Sequence, residues 1–195
     1  NKVPITCLTA YSKTVAKIAD KYCDIILVGD SLGMVLYGMN STREVKLSTM
    51  ILHGRTVKKF TKKSLIVVDM PYRTYLNKST ALENAKKLIR ETNFDAVKLE
   101  GGKKISPIIK FLVNKNIPVM GHIGLLPQTS RNFKFKGKNN SEQKLIYDDA
   151  ISIAKSGAFA IVIECVVENL AKKITKTIKI PTIGIGASKY CDGQI

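Results

Sequence analysis

Ionisable side chains follow five short apolar runs of this sequence. The residues at these positions are Asp30, Asp69, the pair Lys98 and Glu100, His122, and Glu164. In folds built from parallel strands, active sites lie at the C-terminal ends of the strands, so polar residues at those ends are informative. Side chains alternate between the two faces of a strand, so Lys98 and Glu100, two residues apart, must point the same way. The spacing therefore predicts a site that several charged groups share.

A cation is the natural partner of such a group. Carboxylates that converge where water is scarce repel one another and are pushed toward protonation unless a positive charge offsets them. Oxygen ligands without paired cysteines favour a hard ion such as magnesium, which shares its coordination with waters and substrate oxygens. Taken alone, Asp30 could equally be a turn or cap residue, and His122 between glycines equally suits a structural role. We therefore leave His122 out of the predicted metal set.

The elements that must position these residues are visible as a repeating pattern. Short runs rich in Val and Ile alternate with amphipathic segments, which is typical of repeated βα units. The predicted strands are 5–8, 25–28, 65–68, 96–99, 118–120, 160–163 and 182–185. Helix starts are predicted at Ser12, Ser48, the capping box Thr80 to Glu83, and Ser106-Pro107; two further helices cover a segment ending at Gly157 and residues 167–178.

This rhythm predicts a (β/α)8 TIM barrel, which needs eight strands and typically about 250 residues. Only seven strand-like runs are found, so we expect the eighth strand and the C-terminal helices to be missing, as in a fragment or the ordered part of a longer chain. No linker divides the sequence, so residues 1–195 are predicted to form a single barrel domain. The competitor is an open doubly wound sheet, whose Gly-x-Gly-x-x-Gly turn after the first strand is absent.

Charge and hydropathy narrow the classes of function. The formal charge of +17 would suit a nucleic-acid-binding protein, but 27 of the 32 basic residues are Lys, and they are spread along the chain without interleaved aromatics. No apolar run approaches the roughly 18 residues that cross a bilayer. Four isolated cysteines indicate neither a zinc site nor a disulfide framework. We therefore expect a soluble, cytoplasmic protein without a nucleic-acid or membrane partner.

Six sequence blocks together carry a family resemblance. They are "VGDSLGM" at 28–34, "DMPY" at 69–72, "VKLEGG" at 97–102, "GHIGLLPQ" at 121–128, "IECV" at 163–166 and "IGIGA…DGQI" at 183–195. In this order they resemble the ketopantoate hydroxymethyltransferase family. The resemblance implies a (β/α)8 barrel of the phosphoenolpyruvate/pyruvate type. It also implies transfer of a one-carbon unit from 5,10-methylenetetrahydrofolate to 3-methyl-2-oxobutanoate, giving 2-dehydropantoate on the route to pantothenate and coenzyme A.

The resemblance also implies a role for each site residue. Asp30 and Asp69 resemble magnesium ligands that also meet the substrate, and Glu100 resembles the residue that holds Mg²⁺ through water. Ser31 and Lys98 resemble the groups that bind the keto-acid carboxylate, and Glu164 resembles the general base that yields a magnesium-stabilised enolate. The family further implies a homo-oligomer, commonly a decamer. The loop 129–144 is shorter and richer in Lys than is usual in the family.

Two alternatives stay open at this point. A magnesium-dependent carbon–carbon lyase acting on another 2-oxo acid would share the acidic strand ends, although "VGDSLGM" and "IECV" together favour the transferase. A basic nucleic-acid-binding protein is motivated only by the charge of +17.

Overall fold

The structure is a computed structural model that describes residues 3–130 and 133–195. Residues 131 and 132 of the Lys-rich loop 129–144 lie outside the described residues. Eight parallel strands follow one another in chain order as a closed (β/α)8 barrel. The strands are β1 (Ile5–Thr9), β2 (Ile25–Val28), β3 (Leu65–Asp69), β4 (Ala96–Glu100), β5 (Val119–Gly124), β6 (Ala160–Glu164), β7 (Thr182–Ile185) and β8 (Gly193–Gln194).

Helices follow the first seven strands. They are α1 (Lys13–Tyr22), α2 (Leu32–Tyr37), α3 (Leu47–Phe60), α4 (Lys78–Thr92), α5 (Ser106–Val113), α6 (Asn140–Lys155) and α7 (Glu168–Thr177). Two 3-10 turns cover Thr42–Glu44 and Lys103–Ile105. In the described part of the chain, no helix is both long enough and apolar enough to span a membrane.

The expectation that the eighth strand is missing is wrong. β8 pairs with β7, with Gly193 opposite Ile183 and Gln194 opposite Gly184. Backbone packs tightly against Gly193, where an added Cβ would lie 2.5 Å from the Ile5 carbonyl oxygen. A strand of two residues, one of them Gly without a side chain, leaves no apolar run or alternation for sequence analysis to find.

The other seven strands lie where the pattern predicts them, and most extend one residue further. The added residues include Asp69, Glu100 and Glu164, so three of the candidate site residues are the last residues of their strands. β5 differs most, because it begins at Val119 and runs through "GHIG" to Gly124. Glycine is depleted in strands, so the glycines of "GHIG" gave no strand pattern, although the hydrogen-bonded strand continues through them.

Helix starts were less predictable than strands. α3 begins at Leu47, so Ser48 lies inside the helix and Lys46 is the N-cap. α4 begins at Lys78 because the Asn77 side chain accepts the Thr80 N–H at 2.9 Å, so the capping box predicted from Thr80 is wrong. Asn77 offers the same short oxygen acceptor one helical turn earlier.

The remaining helix ends compare more closely with prediction. Ser12 is the N-cap of α1 as predicted. Gly157, with φ of +88°, follows the end of α6, and this positive φ is why a glycine suits that position. α5 starts at Ser106 itself, with Ile105 as its N-cap. α2 is a helix that the sequence pattern did not reveal.

The described chain divides into two compact units, one from Thr6 to Lys98 and one made of the rest. In the first unit β1 to β4 pair in parallel, and Asp69 lies opposite Lys98. In the second unit β5 to β8 pair in parallel, and Gly124 lies opposite Glu164. The assignment of residues 1–195 to a single domain stays a prediction.

A close approach inside the first unit gives a stability prediction. An added Cβ at Gly54 of α3 would lie 1.9 Å from the Phe94 ring. A helical Gly→Ala change normally stabilises by about 1 kcal/mol, but overpacking costs about 1–3 kcal/mol, and the Phe94 side chain is itself buried and has little room to move away. We expect Gly54→Ala to lower the free energy of unfolding by about 1–2 kcal/mol in urea denaturation. Ser48→Ala, at an exposed position of α3, is the control; equal stability of both variants would contradict the prediction.

Candidate active site

Three of the predicted site residues form a buried cluster in the unit from Thr6 to Lys98. We call Asp30, Asp69 and Lys98 the first cluster; their exposures are 3%, 3% and 4%. Asp69 and Lys98 are opposite each other on neighbouring parallel strands, so their side chains point the same way, and Lys98 Nζ lies 2.8 Å from Asp69 Oδ1. Oδ2 of Asp69 accepts the backbone N–H of Asp30 at 3.0 Å. The turn after β2 is thereby tied to the end of β3.

The first cluster suits a hard cation. Both carboxylates are buried, and buried carboxylate is stable only beside compensating positive charge. Among the described residues, Asp69 Oδ1 accepts no hydrogen bond of good geometry, although it faces the Lys98 ammonium. That leaves lone-pair capacity on an oxygen of the kind that magnesium prefers. The described residues show no preassembled group of three or more His, Cys, Asp or Glu side chains, so this fit rests on oxygen chemistry and burial.

Ser31 lies next to Asp30 but makes a separate contact. It precedes α2 at the N-cap position, yet its side chain does not cap the helix. Its Oγ lies 2.7 Å from the hydroxyl of Tyr11, which follows β1. Sequence analysis did not single out Tyr11, because an isolated tyrosine beside a helix N-cap carries no pattern.

A second buried cluster lies in the other unit, and His122 is its centre. We call Glu100, His122, Gln128 and Glu164 the second cluster. His122 is opposite Val162, two residues before Glu164, so strand alternation sends the side chains of His122 and Glu164 to the same side. His122 Nε2 lies 3.2 Å from Glu164 Oε2, and Nδ1 lies 3.6 Å from Glu100 Oε1. The structure thus brings Glu100 and Glu164 to the two nitrogens of one imidazole.

The second cluster contains two residues that the predicted site omitted. His122 is 2% exposed and lies between two carboxylates inside β5, so its place just after the predicted strand 118–120 was a usable signal. Gln128 is also buried, and its backbone N–H donates to Glu100 Oε2 at 3.0 Å. Gln128 ends the block "GLLPQ". Its contact with Glu100 is made by a backbone N–H and spans 28 residues, so the residue type alone does not predict it.

The backbone around Glu164 is closely packed and locally strained. The carbonyl oxygen of Glu164 accepts the Leu125 N–H at 2.9 Å, and an added Cβ at Gly124 would lie 2.3 Å from the same oxygen. The next residue, Cys165, has φ of +49°, a left-handed conformation that costs a non-glycine residue about 1 kcal/mol or more. Its N–H donates to the Ile185 carbonyl at 2.8 Å, and its carbonyl accepts the Lys136 N–H at 2.8 Å. These bonds hold the end of β6 in one conformation.

The four cysteines are free thiols, and only Cys7 and Cys191 are buried. Burial raises the pKa of the Cys7 thiol to about 12. At pH 8 Cys7 is therefore protonated, and the thiol form is a poor nucleophile. We expect iodoacetamide at pH 8 to leave Cys7 unmodified in the folded protein and to label it in urea, as mapped by peptide mass spectrometry. Rapid labelling of Cys7 in the folded protein would contradict this assignment.

Comparison with known proteins gives consistent matches over the whole sequence. The sequence model of a family described as ketopantoate hydroxymethyltransferase matches residues 1–195. A 3-methyl-2-oxobutanoate hydroxymethyltransferase of Pelagibacter ubique (strain HTCC1062) is 58% identical over 195 residues, covering 100% of this chain and 76% of that protein. An enzyme of the same name from Anaplasma marginale (strain Florida) is 49% identical over 194 residues, covering 98% of this chain and 70% of that protein.

Solved structures with the same fold are more distant in sequence. Phosphonopyruvate hydrolase in complex with oxalate and Mg²⁺ superposes with a TM-score of 0.72 at 14% identity, over 93% of this chain and 67% of that one. A 2,3-dimethylmalate lyase of the PEP mutase/isocitrate lyase superfamily gives a TM-score of 0.70 at 11% identity, over 94% of this chain and 67% of that one. At such identities the likeness shows the fold alone, and it confirms the predicted TIM barrel.

Proposed function

The chain belongs to the ketopantoate hydroxymethyltransferase family, and on that premise we propose how its buried charged residues divide the work of the reaction. It is a 3-methyl-2-oxobutanoate hydroxymethyltransferase, which catalyses the first step of pantothenate synthesis. The observation that carries the proposal is the buried ion pair of Asp69 with Lys98, next to which Asp30 is held by its backbone N–H bond to Asp69. It supplies both carboxylates for a ligand set and a cation for an anionic substrate.

Asp30 and Asp69 are assigned as direct magnesium ligands, and Glu100 as the residue that holds the ion through water. Lys98 and Glu100 are two positions apart on β4, so both side chains leave the strand on the same face. The complex of phosphonopyruvate hydrolase with oxalate and Mg²⁺ supports this choice of ion for a barrel of this type. When bound, magnesium supplies Lewis-acid polarisation of the keto oxygen and carboxylate of the substrate.

Lys98 and Ser31 are assigned to the carboxylate of 3-methyl-2-oxobutanoate. The Lys98 ammonium is buried 2.8 Å from Asp69, where it offsets the nearby carboxylate and can attract the substrate anion. The Ser31 hydroxyl is not used to cap α2 and can donate to a carboxylate oxygen. Asp30 and Asp69 are assigned to the same substrate.

Glu164 is assigned as the general base that removes the proton from C3 of the keto acid. Its side chain is 16% exposed, so a substrate can reach it, and His122 at 3.2 Å restricts the positions that the carboxylate can take. Removal of the C3 proton makes C3 nucleophilic, and C3 forms the new carbon–carbon bond to the one-carbon unit of 5,10-methylenetetrahydrofolate. The bonds from that carbon to the two folate nitrogens break, one water supplies the hydroxyl oxygen of 2-dehydropantoate, and tetrahydrofolate leaves. His122 acts in this scheme by orienting Glu164.

Incubation of the protein with 3-methyl-2-oxobutanoate, magnesium and 5,10-methylenetetrahydrofolate tests the proposal, and we expect 2-dehydropantoate by mass spectrometry. The matched control substrate is 3,3-dimethyl-2-oxobutanoate, which has no C3 proton and should give no product. Chelation with EDTA should stop the reaction, and added magnesium should restore it. A folded, magnesium-saturated protein that gives no 2-dehydropantoate would refute the assignment.

We take the cellular location, the oligomeric state and the kind of partner from the family as well. We place the enzyme in the cytoplasm as a homo-oligomer, a decamer by resemblance, with small-molecule substrates and without a nucleic-acid or membrane partner. The carbon–carbon lyase alternative has only fold likeness behind it, whereas the transferase has relatives at 49–58% identity. Analytical ultracentrifugation gives the oligomeric state directly.

A further inference from the structure

In the described part of the chain, the Ser31 hydroxyl has one hydrogen-bond partner, the Tyr11 hydroxyl, and this bond can set its direction. Serine at an N-cap usually accepts a hydrogen bond from the first turn of its helix, but Ser31 makes no such bond to α2. Its Oγ instead lies 2.7 Å from the Tyr11 hydroxyl. Both residues are partly buried, so this bond is shielded from exchange with solvent. The direction of the Ser31 hydroxyl is therefore coupled to the position of Tyr11.

Tyr11 is held in turn by His53 of α3. His53 Nδ1 lies 2.8 Å from the Tyr11 carbonyl oxygen, which can only accept, so Nδ1 carries the hydrogen. The other ring nitrogen of neutral His53 is then an acceptor, and the Tyr37 hydroxyl lies 2.6 Å from it. The two rings meet edge to face with centroids 5.7 Å apart. Each polar atom of His53 thus has a partner of the right kind.

These bonds form a closed circuit around α2. Ser31 stands immediately before the helix and Tyr37 is its last residue, so Tyr11 is joined to one end through its hydroxyl and to the other through His53. The backbone N–H of Ala10 donates to the Leu27 carbonyl at 3.0 Å, which anchors the circuit to β2.

Apolar packing alone gives α2 limited support. Val35 and Leu36 in its second half are 69% and 49% exposed. A helix of six residues has little stability of its own, and Leu32 and Gly33 are its buried residues. Leu32 and Gly33 are buried at the start of α2 and fix its backbone there, so the contribution of the polar circuit at this end is to set the direction of the Ser31 hydroxyl.

We propose that Tyr11, His53 and Tyr37 are positioning residues that hold the Ser31 hydroxyl toward the carboxylate of the keto acid. The inference rests on the proposed function, which assigns Ser31 to that carboxylate. It predicts that breaking the circuit weakens keto-acid binding while the chemical step is preserved, since none of the three acts on the reacting carbon.

Tyr11→Phe tests the first bond of the circuit by removing a single oxygen atom. We expect KM for 3-methyl-2-oxobutanoate to rise about three- to tenfold with kcat nearly unchanged, because one oriented hydrogen bond to bound substrate is weakened. Calorimetric titration of the magnesium-loaded protein with the keto acid should show the same loss of affinity. Tyr22→Phe is the matched control, since Tyr22 is 74% exposed, and it should change neither quantity.

His53 variants test the middle of the circuit. His53→Ala removes both bonds and should raise KM as much as Tyr11→Phe does. His53→Asn keeps an N–H near the position of Nδ1 and should recover most of the wild-type KM. Tyr37→Phe should give a smaller rise, because it removes the bond furthest from Ser31. Combining Tyr11→Phe with His53→Ala should raise KM less than the product of the single effects, since both break one circuit.

The outcomes separate this inference from the proposed function. If the wild-type protein makes no 2-dehydropantoate, the proposed function fails. If the wild-type protein is active and Tyr11→Phe has its normal KM and keto-acid affinity, the positioning role is overturned. A lower melting temperature with unchanged KM would likewise overturn it, because the circuit would then be structural only. Should His53→Ala fail to fold, Tyr11→Phe and His53→Asn carry the test.

Discussion

Glu164→Gln is expected to lower kcat by a factor of about 10²–10⁴, the usual contribution of a positioned general base. The amide has the shape of the carboxylate but does not accept a proton, and it can still stand beside His122. Exchange of the C3 proton of 3-methyl-2-oxobutanoate with deuterated solvent isolates this step, because it needs no one-carbon donor. By proton NMR, the variant should show almost no exchange while it binds magnesium and keto acid nearly normally.

The matched control is Glu168→Gln, four residues further on at an exposed position at the start of α7. It removes the same charge from the same region and should leave exchange at the wild-type rate. Wild-type exchange in Glu164→Gln would remove Glu164 as the base and direct attention to His122, the other titratable side chain of the second cluster that contacts it.

Asp69→Asn is expected to have two separable effects, both large. The change removes the negative charge 2.8 Å from Lys98 Nζ, and both side chains are almost fully buried. Removing one partner of a buried ion pair costs about 3–5 kcal/mol, so urea denaturation in EDTA should show a loss of that order. Magnesium affinity, measured by calorimetry, should also fall at least about 10–100-fold, the loss typical even of residues that only support metal ligands.

The two predicted effects of Asp69→Asn, on stability and on magnesium affinity, can be refuted separately. Unchanged stability in EDTA would mean that the ion pair with Lys98 contributes little. Unchanged magnesium affinity in a folded variant would remove Asp69 from the ligand set. Asp148→Asn, on the exposed side of α6, controls for the loss of one carboxylate and should change neither measurement.

The grouping of lysines around Phe60 is a feature that the sequence did not predict. Lysines that are spread along the sequence come together in the structure. Lys13 and Lys17 of α1 and Lys59 of α3 place their ammonium groups 5.1, 5.6 and 5.8 Å from the centre of the Phe60 ring. The sequence shows no stripe of lysines interleaved with aromatics, but helices α1 and α3 pack side by side and bring Lys13 and Lys17 to Phe60, more than 40 positions away in sequence.

The sequence by itself determined the strands and the charged residues that end them. Burial on both faces demands continuous apolar runs, so the charged residues Asp30, Asp69, Glu100 and Glu164 stand out at or just after the ends of those runs from local composition alone, although three of them are themselves buried. The family resemblance depended on the same blocks. The sequence did not predict the two-residue strand β8, because a glycine and a glutamine form no apolar run.

Only the tertiary structure decided which of these residues meet. Lys98 faces Asp69 because of the register between β3 and β4, and His122 reaches Glu164 because of the register between β5 and β6. Tyr11, Ser31, His53 and Tyr37 join across 16 to 42 residues of sequence. Hydrogen bonds and ion pairs need partners within about 3 Å, and packing between distant segments sets such distances, whereas local periodicity does not.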